Sequence, residues 1–175
     1  MSKRTTTTIA ACAVGLAAGL VLGPVQSAVA GHSNAVLTAD LDGRSEVASG
    51  ATSNRIVGDP NGRGEVYVFG IDEDPTTLCY VLVVDKIAEL ELAPGNGRVA
   101  HIHRGAEGTN GPPEVNLAWP QGGQAGDCLT EGEAGKGLDP GEVQEILANP
   151  GDYYVNVHNS EYPGGAIRGQ LGAER

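Results

Sequence analysis

The sequence is short of aromatic and basic residues, and each shortage excludes a class of protein. Aromatic residues make up only 4% of the 175 residues while glycine occurs 27 times, a composition that suits many short strands joined by tight turns. Eleven Lys and Arg residues stand against 22 Asp and Glu, which gives a formal net charge of −11 at pH 7. Nucleic acids and anionic membrane surfaces attract cationic patches, so this charge argues against both as partners.

Long apolar runs are also scarce, and the single one lies at the N-terminus. Two basic residues precede the run IAACAVGLAAGLVLG, and Ala28-Val29-Ala30 matches the A-x-A signal found before a cleavage site. We therefore expect a signal peptide over residues 1–30 and a secreted mature domain over residues 31–175, with no further membrane segment. Cys12 loosely resembles the cysteine of a lipoprotein signal, but the apolar run continues well past it, which favours the signal peptide. Cleavage would change the net charge from −11 to −13, because the removed segment carries two basic residues and no acidic one.

Cysteine is rare, and only Cys79 and Cys128 fall within the predicted mature domain. An even pair in an oxidising compartment indicates a disulfide. Metal-binding thiols are the alternative, but two distant cysteines without a C-x-x-C spacing disfavour it. On the chain-entropy model, such a bridge contributes about 3–4 kcal/mol.

Alternating or compact apolar runs recur through the mature domain, with turn-forming clusters between them. The runs predict seven strands, at 35–41, 64–71, 78–87, 98–103, 114–119, 153–159 and 165–171.

The segment between the fifth and sixth predicted strands carries three local predictions. Trp119 is expected in the core, since large aromatic residues dominate burial energetics. The Gly-rich segment 120–137 is expected to be a surface loop. Asp139 as N-cap and Glu142 as its capping partner predict one short helix near 140–149. Seven strands with one helix predict an all-β fold, an antiparallel Greek-key β-sandwich.

Strand alternation places the polar residues of three predicted strands on outer faces. In the fourth strand, for example, Ala100 and Ile102 face the core and the two histidines beside them face outward. If the three strands are neighbours, one patch contains His101, His103, Asn156, His158, Arg168 and Gln170. Because imidazole suits copper and zinc, the three histidines are candidate ligands for either metal, with Asn156, Arg168 and Gln170 beside them. The alternative is that these are ordinary exposed positions whose imidazoles hydrogen-bond across strands or to turns.

Two segments of the mature domain resemble the CHRD domain, a module named from the developmental protein chordin and also present in secreted microbial proteins. The segments are VAHIHRGAEGTNGPPEVNL and YYVNVHNSEYPGGAIRGQL, and the resemblance covers residues 35–172. It implies no chemistry that can be transferred residue by residue. The growth-factor antagonism of chordin is not implied, because this chain has none of the cysteine-rich modules that accompany it there.

A weaker resemblance, to copper–zinc superoxide dismutase, rests on the His-x-His pair, the later Val-x-Val-His and an arginine near the C-terminus. That enzyme is a Greek-key β-sandwich with outward-facing histidine ligands. The resemblance places His101, His103 and His158 at copper-ligand positions and Arg168 near the anion path. The bridging histidine and the zinc-site residues have no counterpart in the sequence, so it does not contain a complete dismutase site.

Two functions and one structural role therefore remain open. The first function is a secreted, non-catalytic binding module whose partner is an extracellular protein or a cell-surface ligand. The second is a copper- or zinc-binding protein that uses the three outer-face histidines, with redox activity where the metal is copper. In the structural role, the patch only joins adjacent strands. We predict no catalytic residue, since no arrangement such as G-x-S-x-G is present.

Overall fold

The computed structural model of the protein describes residues 36–48, 56–87 and 99–174. The predicted signal peptide, its cleavage site, Cys12 and His32 lie outside these residues. Over the described ranges, no helix has the length and apolar character needed to cross a membrane.

Nine strands, one α-helix and two short 3-10 helices form within the described residues. The strands are β1 (Val36–Asp42), β2 (Arg63–Ile71), β3 (Asp74–Asp85), β4 (Ala100–Arg104), β5 (Pro113–Asn116), β6 (Gln124–Thr130), β7 (Tyr153–Val157), β8 (Ile167–Gln170) and β9 (Gly172–Ala173). The α-helix, α1 (Glu142–Ala148), and the 3-10 helices, Gln121–Gly123 and Pro150–Asp152, lie between β5 and β7.

The strands form a single curled antiparallel sheet in the order β5-β4-β7-β8-β1-β2-β3-β6, with β9 beside β1. We call β5, β4, β7 and β8 the histidine half, and β1, β2, β3 and β6 the disulfide half. The halves are joined between β1 and β8, where Asp42 pairs with Arg168. The predicted all-β antiparallel class with one short helix is confirmed, and the sheet is continuous through this join.

Alternate residues of both halves face each other in one hydrophobic core. The predicted core residues of the histidine half are fully buried, as are the inward residues of the disulfide half. Examples are Ile102, Val155, Val157 and Ile167 in the first half, and Leu37, Val66, Val68 and Leu82 in the second. Burying each such side chain stabilises the fold by about 1.5–3 kcal/mol.

The Gly-rich segment 120–137, predicted to be a surface loop, contains strand β6, and that prediction is wrong over Gln124–Thr130. The segment lacks an apolar pattern because only Leu129 of this strand enters the core. The residues Gln124–Thr130 form a strand because they pair with β3, which is distant in the sequence. Cys128 lies directly opposite Cys79 in that pairing, and the predicted disulfide between them is confirmed.

Helix α1 begins at Glu142, close to the predicted start, and its Val143 and Ile146 are buried in the core. The Glu142 carboxylate accepts a hydrogen bond from the backbone N–H of Asp139 at 2.8 Å. The N-cap of the helix is Gly141, without a side-chain cap, so the prediction that Asp139 is the N-cap is wrong. Trp119 is 43% exposed, so its predicted place in the core is wrong. The chain leaves the sheet after β5, which ends at Asn116, and this turns the indole outward.

Candidate functional site

The outward faces of β4, β7 and β8 carry a layer of polar side chains that the strand register brings together. Two rows run across the three strands, because β4 and β8 both pair with β7. Residues from sequence-distant segments therefore become direct neighbours. This polar layer comprises His101, His103, Tyr154, Asn156, His158, Arg168 and Gln170.

Most of the polar layer is buried, and only His158 and Gln170 are half-buried, whereas the alternation of the strands predicted outward-facing, exposed side chains. The alternation itself is confirmed, because Ile102 and Val155 face the core from the same strands. Nevertheless His101 is 6% exposed, His103 is 8% exposed and Arg168 is 2% exposed. Two segments contact the layer from outside, and we call residues 105–111 and 159–165 the covering loops. Alternation along a strand cannot predict such cover, because the loops reach the strands through non-local contacts.

Arg168 anchors the first covering loop to the sheet. Its guanidinium donates hydrogen bonds to the carbonyl oxygens of Thr109 at 2.7 Å and Ala106 at 3.4 Å, and to Oδ1 of Asn110 at 3.3 Å. The guanidinium carbon also lies 3.4 Å from the centroid of the Tyr154 ring. Hydrogen bonds to a buried charge and stacking on an aromatic face both contribute more than their exposed equivalents. The arginine therefore holds the loop down over the polar layer.

Gln170, the second residue predicted to border the patch, also contacts backbone. Its side-chain nitrogen donates to the carbonyl oxygens of Gly105, Gly151 and Tyr153 at 3.0, 2.9 and 2.7 Å. Like Arg168, it ties the start of the first covering loop to the sheet.

Glu46, which sequence reasoning missed, lies against the middle of the polar layer. Its Oε2 accepts a hydrogen bond from the side-chain amide of Asn156 at 3.4 Å, and its Oε1 is buried without a hydrogen-bond partner. Burial raises the pKa of the Glu46 carboxyl to about 8, against the opposing effects of the Arg168 charge and the Asn156 hydrogen bond. No periodicity or motif singles this residue out, because it lies between strands and reaches the layer through the fold alone.

The three predicted histidines meet within the polar layer, and we call His101, His103 and His158 the histidine cluster. The ring centroid of His101 lies 5.4 Å from that of His103 and 5.3 Å from that of His158. The centroids of His103 and His158 are 6.1 Å apart. Each ring contributes one nitrogen to a set of three nitrogens that all lie within 4.8 Å of one another. His101 and His103 come from one strand, and His158 follows the adjacent strand β7 directly.

Two of the imidazoles are oriented by the covering loops. Nδ1 of His103 lies 3.0 Å from the Gly111 carbonyl oxygen, and Nδ1 of His158 lies 3.2 Å from that of Pro163. Burial lowers the pKa of both rings, and the hydrogen bonds to the carbonyls oppose this shift only in part. Each ring is therefore favoured as a neutral imidazole with its proton on Nδ1, which makes Nε2 an acceptor. The His103 ring also stacks on Tyr154, with centroids 4.8 Å apart.

The curled antiparallel sheet with a loop-covered polar layer defines an all-β domain, and its family follows from a sequence comparison. The CHRD domain model matches residues 37–171, and the chain belongs to the CHRD domain family. The matched range contains the entire polar layer and both covering loops. A search of curated proteins returned no match.

Proposed function

We propose that the protein is exported and works outside the cell as a binding module that catalyses no reaction. The observation that carries the proposal is the CHRD match over residues 37–171, because CHRD domains are extracellular modules. The Cys79–Cys128 disulfide supports it, since such bridges persist in oxidising compartments. The signal peptide expected over residues 1–30 supplies the export route.

The contacts of the polar layer support a non-catalytic role. Arg168 and Gln170 direct their side-chain N–H groups at oxygen atoms of the first covering loop and of the neighbouring backbone. Their effect is to fix the shape of the loop. With a net charge of −13 after cleavage, the domain suits a neutral or cationic partner, such as an extracellular protein or a cell-surface ligand.

Export is tested by following the full chain, tagged at its C-terminus, in the cells that produce it. We expect an extracellular species that begins at Gly31 and carries an oxidised Cys79–Cys128 pair, as read from intact mass. A variant with Lys in place of Ala28 and Ala30 is the matched control, because the altered cleavage signal should retain the precursor. An unprocessed wild-type chain that stays inside the cell would overturn the proposal.

Binding is tested with the exported protein, fluorescently labelled and titrated onto washed cells of the producer. We expect saturable binding that is lost when the protein is unfolded, reduced and alkylated. The bound surface component should be recovered with unchanged mass after incubation. Binding that never saturates, or conversion of the component to a product, contradicts a non-catalytic module.

A further inference from the structure

We propose that the histidine cluster is a metal site, in which His101, His103 and His158 together bind one zinc or copper ion through ring nitrogens. Three imidazoles, two from β4 and one just past the end of β7, place one nitrogen each within 4.8 Å of the others. This inference goes beyond extracellular partner binding and does not depend on it, because it rests on side-chain geometry rather than on family membership.

The covering loops leave the metal-binding nitrogens of two rings free. The Nδ1 atoms of His103 and His158 are directed at the carbonyl oxygens of Gly111 and Pro163, so the lone pair of each ring is on Nε2. Both Nε2 atoms are buried and have no hydrogen-bond partner. A bound ion is one of the recognised reasons for a buried polar atom without a hydrogen-bond partner. A backbone carbonyl that fixes the tautomer of a histidine is also the usual companion of a metal-ligating imidazole.

The dimensions of the cluster are compatible with a metal after a small closure. Zinc–nitrogen bonds near 2.0–2.1 Å require ligand nitrogens about 3.3 Å apart in a tetrahedral site. The cluster, whose ligand atoms all lie within 4.8 Å of one another, needs its nitrogens to approach by at most about 1.5 Å. His101 and His103 are fixed by their places in β4, whereas His158 lies just past the end of β7. The closure must therefore keep the contact between Nδ1 of His158 and the Pro163 carbonyl oxygen while Nε2 moves.

The ligand set points to zinc or copper rather than to a hard cation. Calcium and magnesium require oxygen ligands, and the cluster consists of three imidazoles. Neutral imidazole nitrogen suits zinc and copper. The two cysteines of the described residues are bonded to each other, so a thiolate from that pair cannot join the site.

The test uses the exported protein, stripped of metal with a chelator, and adds Zn²⁺ or ascorbate-reduced Cu⁺ in separate titrations. We expect one ion per chain by elemental analysis, together with a higher melting temperature, because a ligand that binds only the folded state stabilises it. His101→Ala and His103→Ala should each weaken binding by more than about 100-fold, beyond the range expected for groups around a site. No stoichiometric uptake of either ion overturns the proposal.

His32 provides the matched control, because it is the one histidine of the chain outside the cluster. After the expected cleavage it would be the second residue of the mature protein, where it could chelate copper together with the new amino terminus. His32→Ala should keep the one-ion stoichiometry and the thermal shift. If His32→Ala loses binding while the two cluster variants retain it, the ion binds at the terminus and the proposed site is refuted.

A measurement on the unaltered protein decides the matter if the variants fail to fold. Long-range proton–nitrogen NMR spectra of the imidazoles should show protonated Nδ1 atoms on His103 and His158 before metal is added. One equivalent of Zn²⁺ should then shift the Nε2 resonances of these two rings and a nitrogen of His101. Cluster resonances that stay unchanged at saturating Zn²⁺ would refute zinc binding there, and the same outcome with Cu⁺ would refute the site.

Discussion

The two halves of the sheet share one core but present opposite kinds of outer face. In the histidine half, the outer face is polar and is buried beneath the covering loops. In the disulfide half, the outer face of β3 is open beyond the disulfide, where the apolar side chains of Val81 and Val83 are each 44% exposed. Polar groups are thus buried and apolar groups exposed, the reverse of what hydrophobicity alone predicts.

The difference shows that the burial of the polar layer is built by specific contacts. An apolar face can be buried without any specific partner atoms. A buried polar face loses folding free energy unless each of its donors and acceptors has a hydrogen-bond partner. Arg168 and Gln170 are matched to loop carbonyl oxygens, whereas Nε2 of His103 and of His158 are left unmatched. The side-chain oxygens of Asn156 and Gln170 in the same layer are unmatched as well, but the two Nε2 atoms are the unmatched atoms that suit zinc or copper.

The largest predicted effect concerns the covalent bridge of the disulfide half. Replacing Cys79 and Cys128 together by Ser should lower the free energy of unfolding by about 3–4 kcal/mol, because the bridge restricts the unfolded chain across a separation of 49 residues. Urea denaturation of the double variant against the oxidised protein measures this change. A loss below about 1 kcal/mol would mean that the β3–β6 pairing holds this edge without the bond.

Arg168 should have nearly as large an effect in the histidine half. Arg168→Ala removes a buried guanidinium, the donors of three partly buried hydrogen bonds and the contact with the Tyr154 ring, and should cost about 3 kcal/mol. Arg104→Ala is the matched control, because Arg104 pairs with Glu145 at the surface with its side chain 51% exposed, and it should cost less than about 1 kcal/mol. Equal losses in the two variants, measured by urea denaturation, would contradict the anchoring role of Arg168.

Glu46 makes the histidine half sensitive to pH. Its pKa is raised by burial from 4.5 to about 8 in the folded protein, so the folded state retains a proton that the unfolded chain has already released. The resulting stability is fully present below pH 4.5 and is lost as the pH rises to about 8. The stability of Glu46→Gln should therefore rise relative to that of wild type between pH 5 and pH 8, because only the wild-type protein loses a stabilising proton over that range.

The control for this effect is Glu107→Gln, an exposed carboxylate in the first covering loop. Its unfolding free energy should follow that of wild type across the same pH range. If wild type and Glu46→Gln also run parallel from pH 5 to pH 8, Glu46 does not carry the predicted proton.

Local pattern was sufficient to predict the faces of the strands, because side-chain direction alternates along any strand. It assigned Ile102, Val155 and Ile167 to the core and the histidines to the opposite side. Local pattern could not predict a segment whose structure is determined by residues distant in the sequence. Strand β6 was missed because its sequence sends only Leu129 into the core.

In the candidate site, too, some features could be predicted from local pattern and others could not. The sequence predicted which imidazoles could converge, since their strands carry them on corresponding faces. It could not predict the burial of the cluster, because Gly111 and Pro163 reach His103 and His158 only through the paths of the covering loops. It also could not place Glu46, whose neighbour Asn156 is 110 residues away.

The smallest predicted effect lies on the open face of the disulfide half. Val81→Thr replaces a methyl group by a hydroxyl of similar size at a position that is 44% exposed, where water can solvate the hydroxyl. The free energy of unfolding should change by less than about 0.5 kcal/mol. The matched substitution on the core face, Val155→Thr, buries the same hydroxyl at a fully buried position and should cost about 1–3 kcal/mol. Urea denaturation of the two variants compares the exposed face with the core face. If Val81→Thr lowers the free energy of unfolding as much as Val155→Thr does, a further surface covers β3.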